Sequence, residues 1–413
     1  MDADEVRTEV RRWTGENWNP ELSLREWRER LAASGWACPA WPPALCGRGL
    51  PGDLAAVATS ELAGLPGLPE GIGMGLAAPV LLEHGSEELK RRFIRPTVTG
   101  EFTWVQLFSE PGAGSDLAGL TTKATADGEY WQITGQKVWS TGAATADYGL
   151  LLARTDWDLP KHRGITAFVL PMHQDGIEVR PLRQMNGHSS FNEVFIDGAR
   201  TRDVIGEAGG GWAVALTILA HERRLAVFKS APPRAEGRAW REAIAERTAA
   251  AEPHKWYPQR AGRPELVIPQ AQAAGKADDQ VVRQEIARLT EAAMSARFTA
   301  QRAAAARAAG GRPGPEGSIG KLASSDIARQ AARVHGEIAG ASGMLAGPQA
   351  PLAGVIAEIL VSVPGISIAG GTDEIQHTII GERILGLPRE PDLSRDLPFR
   401  DVPRGTNAVP DQT

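Results

Sequence analysis

Over residues 1–98, apolar positions return at helical spacing, at Leu24, Trp27 and Leu31 and again at Leu54, Val57 and Leu62. This is the pattern of helices that bury one face. Pro39, Pro42, Pro43 and Pro51 interrupt it across residues 38–53, where fixed φ and missing N–H donors predict one long loop. From 102 to 205 the period shortens to apolar or alternating runs bounded by turn residues. In 121–133, Asp127-Gly128 separates two runs carrying Thr, Tyr, Trp and Ile, a hairpin signal because Gly accepts positive φ. Further strands are predicted at 148–153, 165–170, 177–181 and 193–196. With no long helices between them, they predict an antiparallel sheet or barrel, not a βαβ sheet. Helical periodicity resumes after Gly209-Gly210-Gly211, at 212–230, 279–309, 318–342 and 373–385. The stretch 231–280 is too interrupted for one continuous helix. The pattern divides the chain into a helical domain (1–98), a β domain (99–205), a helical bundle (206–390) and a surface tail (391–413).

Composition narrows the possibilities. The 413 residues are 42% hydrophobic and 23% charged, a globular balance that argues against general disorder. Lys and Arg number 45 against 50 Asp and Glu, for a formal charge of -5, so nothing draws the whole chain to nucleic acid. The Ala/Arg-rich run 296–309 lacks an aromatic ladder and reads as a solvated helix. Cys38 and Cys46 make neither a disulfide framework nor a zinc site and read as buried or idle thiols. With no apolar run approaching 18 residues and no signal-peptide pattern at Met-Asp-Ala-Asp-Glu, the expectation is a cytoplasmic protein without a membrane span.

The densest chemistry lies at 106–116, QLFSEPGAGSD. Gly112 and Gly114 let a phosphate or a ring approach the backbone, and Ser109 and Ser115 offer hydroxyls. It is not a dinucleotide fingerprint, since the third glycine position holds Leu117. Alone, such a loop is an ordinary turn. Downstream come GQKVWSTG (135–142), HRGITAFVLP (162–171), FNEVFIDG (191–198) and IAGGTDEIQ (368–376). In this order and spacing the motifs resemble the acyl-CoA dehydrogenase family, over residues 35–390.

The resemblance implies an α+β multidomain fold with an N-terminal helical domain, a central antiparallel β-barrel and a C-terminal four-helix bundle, with FAD between the latter two and a neighbouring subunit. Gln106, Leu107, Ser109, Gly114 and Ser115 match positions around the flavin and its pyrophosphate. Trp139, Ser140 and Thr141 match the segment along the isoalloxazine ring, and Gly371, Thr372 and Glu374 the C-terminal flavin segment. Gln284 and Gly340 complete the cofactor set. Without its neighbours, Trp139 would read as a core aromatic.

The reaction implied is α,β-dehydrogenation of an acyl-CoA thioester, with electrons passed to an electron-transfer flavoprotein and the chain in a homo- or hetero-oligomer, a dimer or tetramer. Such chemistry needs a carboxylate base and donors to the thioester carbonyl. Many family members carry that glutamate in Tyr-Glu-Gly-Thr, but here the matching residues are Ala369, Gly370, Gly371 and Thr372. Gly370 supplies no base, though its N–H can still face a substrate carbonyl. A second family arrangement puts the glutamate on the first helix after the β domain, and TILAHERR (217–224) places Glu222 there. Arg223 then lines the same pocket, with Ser115 and Gly370 as further substrate contacts. The bare alternative for Glu222 is a surface residue paired along an Arg-rich helix. His221 makes no zinc motif, since Leu225 stands where a second His is required. His188 and His377 read as satisfied polar residues. One departure weakens a symmetric tetramer: if Gln284 is the family glutamine that reaches a neighbour's FAD, the preceding Arg and Phe-Gly positions fall on Ala273 and Lys276. Two other functions remain open, a catalytically silent subunit paired with an active relative and a flavoenzyme for carrier-protein-bound acyl groups.

Overall fold

The computed structural model describes residues 1–222, 236–308, 316–389, 391 and 394–403, which fall into two compact units. The first holds the N-terminal helices, the sheet and the segment up to residue 253. Five helices precede the sheet: α1 (Ala3–Asn17), α2 (Leu24–Ser34), α3 (Gly52–Leu62), α4 (Ala78–His84) and α5 (Glu87–Thr99). Capping boxes set the starts of α1 and α2, with Asp2 paired to Glu5 and Ser23 to Glu26, each meeting N–H groups that the first helical turn leaves open. Val6, Val10, Trp27, Leu31 and Ala58 make their common core. Cys38 and Cys46 are both free and buried in the loop after α2, and burial pushes both thiols up.

Eight strands follow: β1 (Trp104–Leu107), β2 (Lys123–Asp127), β3 (Tyr130–Lys137), β4 (Tyr148–Arg154), β5 (Ile165–Pro171), β6 (Ile177–Leu182), β7 (Phe191–Thr201) and β8 (Asp203–Ile205). They form one sheet in the order β6-β7-β3-β2-β4-β5-β8, with β1 added on β4. The hairpin stands where the sequence places it: Asp127 pairs with Tyr130, and Gly128 takes φ +60° in the turn. The sheet is antiparallel except that β1 runs parallel to β4 and β2 meets β4 in parallel. The short strands β1 and β8 carry too few alternations to stand out in the sequence.

Helix α6 (Gly211–Glu222) lies in the same unit, and so does α7 (Arg238–Ala251). Two polar contacts hold α7 to α2: Arg28 donates to both oxygens of Glu246 at 2.7 and 2.8 Å, and Glu242 accepts the Leu24 N–H at 2.8 Å. Residues 206–222 and 236–253, grouped by periodicity with the C-terminal bundle, thus belong to the unit that holds the sheet; the predicted helical residues 223–230 lie outside the described residues. The stretch expected as a surface tail is also partly docked there. Phe399 is buried, its N–H donates to Leu159 O at 3.0 Å, and the Arg154 guanidinium lies 3.3 Å from its ring centroid. The cation on the ring face, the Trp157 ring 5.4 Å away and the Arg400 N–H donating to Trp157 O at 3.0 Å seat this proline-rich segment together, and nothing in its charge pattern announces this.

The second unit comprises residues 183–188 and 254–392. Its helices are α8 (Tyr257–Arg260), α9 (Val267–Ala273), α10 (Gln280–Ala308), α11 (Glu316–Ala339), α12 (Val355–Ser362) and α13 (Asp373–Arg383). Val267, Ala271, Leu289, Val334 and Ile338 form a core between α9, α10 and α11. His188 is satisfied as expected, 2.9 Å from Glu358 Oε1. Among the described residues no helix is long and apolar enough to cross a membrane.

Candidate active site

In the first unit, the SEPGAGSD loop that leaves β1 and the KVWST segment that leaves β3 are bonded to each other. Val138 N–H donates to Ser109 O at 2.9 Å. Beneath that contact Lys137, fully buried, donates from Nζ to Phe108 O at 3.1 Å and to Glu110 Oε1 at 2.9 Å. Glu110 also accepts from the backbone N–H groups of Thr121 and Thr122, at 2.7 and 2.9 Å. Burial alone would raise its carboxyl; the Lys137 ammonium and these hydrogen bonds outweigh that and hold it down to about 2. Lys137 and Glu110 both lie inside the quoted motifs, yet their pairing across 27 residues leaves no mark in spacing.

The residues singled out on these segments differ in what they present. Leu107 is fully buried in the sheet core, so its side chain is packing and only its backbone is left for a ligand. Ser109 and Thr141 are half-buried, while Gly114 and Ser115 are exposed on the loop. Trp139 is 54% exposed with φ +63°, a left-handed conformation costing a non-glycine residue roughly 1–2 kcal/mol. Its ring meets Phe191 edge-on at 5.5 Å. Ser140 is 1% exposed and held by Asn192, which donates to Ser140 O from both its backbone N–H and Nδ2 and accepts the Ser140 N–H. Among the described residues the Ser140 hydroxyl has no hydrogen-bond partner. Asn192, like Lys137 and Glu110, is a residue whose role the sequence did not announce.

Glu222, half-buried at the end of the described part of α6, accepts a hydrogen bond on Oε2 from Gln106 Nε2 of β1 at 3.2 Å. The base candidate and the flavin-loop strand therefore meet directly. Arg223 lies outside the described residues.

In the second unit, Gly370 and Gly371 take φ +68° and +90°, and a Cβ added at Gly370 would meet open space. Gln376 Nε2 donates to both their carbonyls, at 3.2 and 3.3 Å. Thr372 caps α13, its side chain accepting from Ile375 N–H. Asp373 anchors the helix start to α11 through Lys321 at 2.8 Å and Arg329 at 2.5 Å. Burial would raise its carboxyl, but those cations hold it well below the usual range. Glu374 is exposed and held down by its own backbone N–H. Gln284 on α10 and Gly340 at the end of α11 are also exposed.

Sequence profiles of the N-terminal, middle and C-terminal acyl-CoA dehydrogenase domains match residues 2–101, 106–199 and 268–385. The chain belongs to the acyl-CoA dehydrogenase family. It is 37% identical over 362 residues to the acyl-CoA dehydrogenase FadE34 of Mycobacterium tuberculosis, covering 87% of this chain but only 46% of that protein. It is 32% identical to the acyl-CoA dehydrogenase IpdE1 of the same organism, covering 94% and 99%. Among solved structures, the Tcur3481-Tcur3483 steroid ACAD shares 27% identity at a TM-score of 0.64, over 94% of this chain and 100% of that one. The ChsE4-ChsE5 complex from M. tuberculosis shares 27% at 0.64, over 94% and 98%.

Acyl-CoA dehydrogenases are FAD enzymes, and three features of this member suit that cofactor. A large ring is held exposed at a backbone cost, and, among the described residues, the Ser140 hydroxyl has no partner and no atom crowds Gly112 or Gly114. A buried hydroxyl with no partner costs roughly 1–3 kcal/mol, which a ligand acceptor would recover. Ser140→Ala should therefore leave the melting temperature of the FAD-free dehydrogenase unchanged or slightly raised, while weakening FAD binding about tenfold. Thermal unfolding without FAD, together with FAD titration, checks both halves.

Proposed function

We propose that this dehydrogenase oxidises an acyl-CoA thioester at its α,β bond, with Glu222 as the base that takes the α-proton. The observation that carries the reading is the contact between Glu222 and β1, which puts a carboxylate beside the strand leading into the flavin loop, while Gly370 offers none. Bound FAD supplies the acceptor for the β-hydride, and an electron-transfer flavoprotein then takes the electrons. On this chain, Ser109, Gly114, Ser115, Trp139, Ser140 and Thr141 would hold the cofactor, with Ser140 donating to it. Arg223 and, in the first unit, Ser115 would receive the thioester; the role of the Gly370 N–H rests on family resemblance alone. For the acyl group we put forward a bulky steroid-type chain. The likeness to a steroid ACAD supports it.

The purified protein should be yellow, and its flavin should bleach anaerobically with a thioester from a panel of straight, branched and steroid-ring acyl-CoAs. Bleaching fastest with a straight short chain would overturn the acyl assignment, and failure with all of them the reaction. A second reading makes the chain a silent subunit of a two-chain dehydrogenase. Likeness to the ChsE4-ChsE5 complex and to half the length of FadE34 favours a second related chain. An active homomer carrying FAD rejects that reading. Copurification with a relative whose activity is indifferent to Glu222→Gln supports it.

A further inference from the structure

Strand β1 alternates its side chains between two cores. Val105 and Leu107 enter the sheet core, while Trp104 and Phe108 enter the core that also contains Val214, Ala215 and Ile218 of α6. By the two-residue period of a strand, Gln106 shares the face of Trp104 and Phe108. On α6, positions 211, 214, 215, 218 and 222 follow the helical stripe that packs inward, and the first four are buried. Glu222 thus continues the apolar stripe by one turn, and Gln106 is the side chain of that β1 face that reaches it. Their hydrogen bond, Nε2 to Oε2 at 3.2 Å, follows from how the strand and helix pack.

We infer that Gln106 is the positioning residue of the base, an inference that rests on the Glu222 reading. A glutamate side chain has three rotatable bonds, and a base is effective only when its oxygen is held on the line of the departing proton. The carboxamide fixes Oε2 and leaves Oε1 as the proton acceptor. In the step concerned, the α C–H bond breaks, its proton passes to Glu222 Oε1, and the electron pair stays on the thioester as its enolate. Gln106 neither gains nor loses a proton.

The test separates deprotonation from hydride transfer and compares Gln106→Met in wild-type and Glu222→Gln backgrounds. A thioester with sulfur in place of the β-carbon has no β-hydride to give. With the 3-thia analogue of the best bleaching substrate, long-wavelength absorbance beside oxidised flavin therefore reports α-deprotonation alone, and its titration gives affinity. With its side chain engaged by Glu222, Gln106 has only its backbone left for the flavin, so Gln106→Met should keep FAD content, melting temperature and 3-thia dissociation constant within about twofold, yet lower enolate absorbance and slow flavin bleaching about 10- to 100-fold, the scale of a lost hydrogen bond to a charged group. In the Glu222→Gln background it should change the rate less than about twofold, because partners in one interaction are not additive. Loss of FAD from Gln106→Met, an unchanged rate, or the same fold-loss in both backgrounds overturns the inference. Full activity of Glu222→Gln alone would instead remove the base assignment on which it depends.

Discussion

Glu222→Gln should retain FAD and lose roughly 10²-fold or more in the rate of anaerobic flavin bleaching by its thioester. The amide is isosteric with the carboxylate and can still accept from Gln106 at the 3.2 Å separation seen here, so the local fold should persist. What it lacks is basicity, and an amide cannot carry the α-proton. Because residue 370 is a glycine, the C-terminal loop has no carboxylate to take over. Glu222→Asp should also fall steeply, since a shortened side chain withdraws the oxygen by about one bond length, and misplacement of about 1 Å can cost about 10²-fold. Stopped-flow bleaching of FAD-replete protein measures both. Undiminished turnover by Glu222→Gln would end the assignment.

Lys137→Met should be the most damaging single change to stability. It removes the cation from a buried pair and strands Glu110, at a cost of roughly 3–5 kcal/mol. Its melting temperature should fall by roughly 10 °C, and FAD binding should weaken with it, because Lys137 joins the two segments expected to meet the flavin. Burial drags the Lys137 ammonium downward, so the lysine opposes folding on its own account and is tolerated only with its partner. Lys137→Met with Glu110→Gln should therefore recover much of the loss. The pH dependence has a definite sign. Glu110 is held at about 2 against an ordinary 4.5, so its contribution is complete above about pH 4.5 and lost as pH falls toward 2. That contribution is roughly 3 kcal/mol. Unfolding of wild type and double mutant between pH 6 and 3 should converge toward the acid end; parallel curves would contradict the linkage.

Much of the architecture is legible in local pattern, because the hairpin at Asp127-Gly128 and the long helices at 280–308 and 316–339 need only nearest-neighbour chemistry. The broken character of 236–280 is legible too, since Pro253 follows the end of α7, Pro258 stands in the first turn of α8 and Pro264 lies between α8 and α9. What escapes is long-range. The pairing of Lys137 with Glu110, the seating of Phe399 and the clamp of Arg28 on Glu246 join residues whose separations carry no period. Among the site residues, Leu107 could not be recognised as packing until its strand face was known, whereas Trp139 lies past the end of β3 at a positive φ, and its exposure departs from the core reading of an aromatic there and was suggested only by family resemblance.

The docking of Phe399 has a consequence for biogenesis. Its hydrogen-bonding partner, Leu159, emerges about 240 residues earlier, which at ~5–20 residues per second is a wait on the order of ten to fifty seconds. Throughout that interval Arg154 keeps the Trp157 ring 5.8 Å away but lacks the closer face of Phe399, so this one contact of the β domain closes only after translation has passed the helical region that follows it.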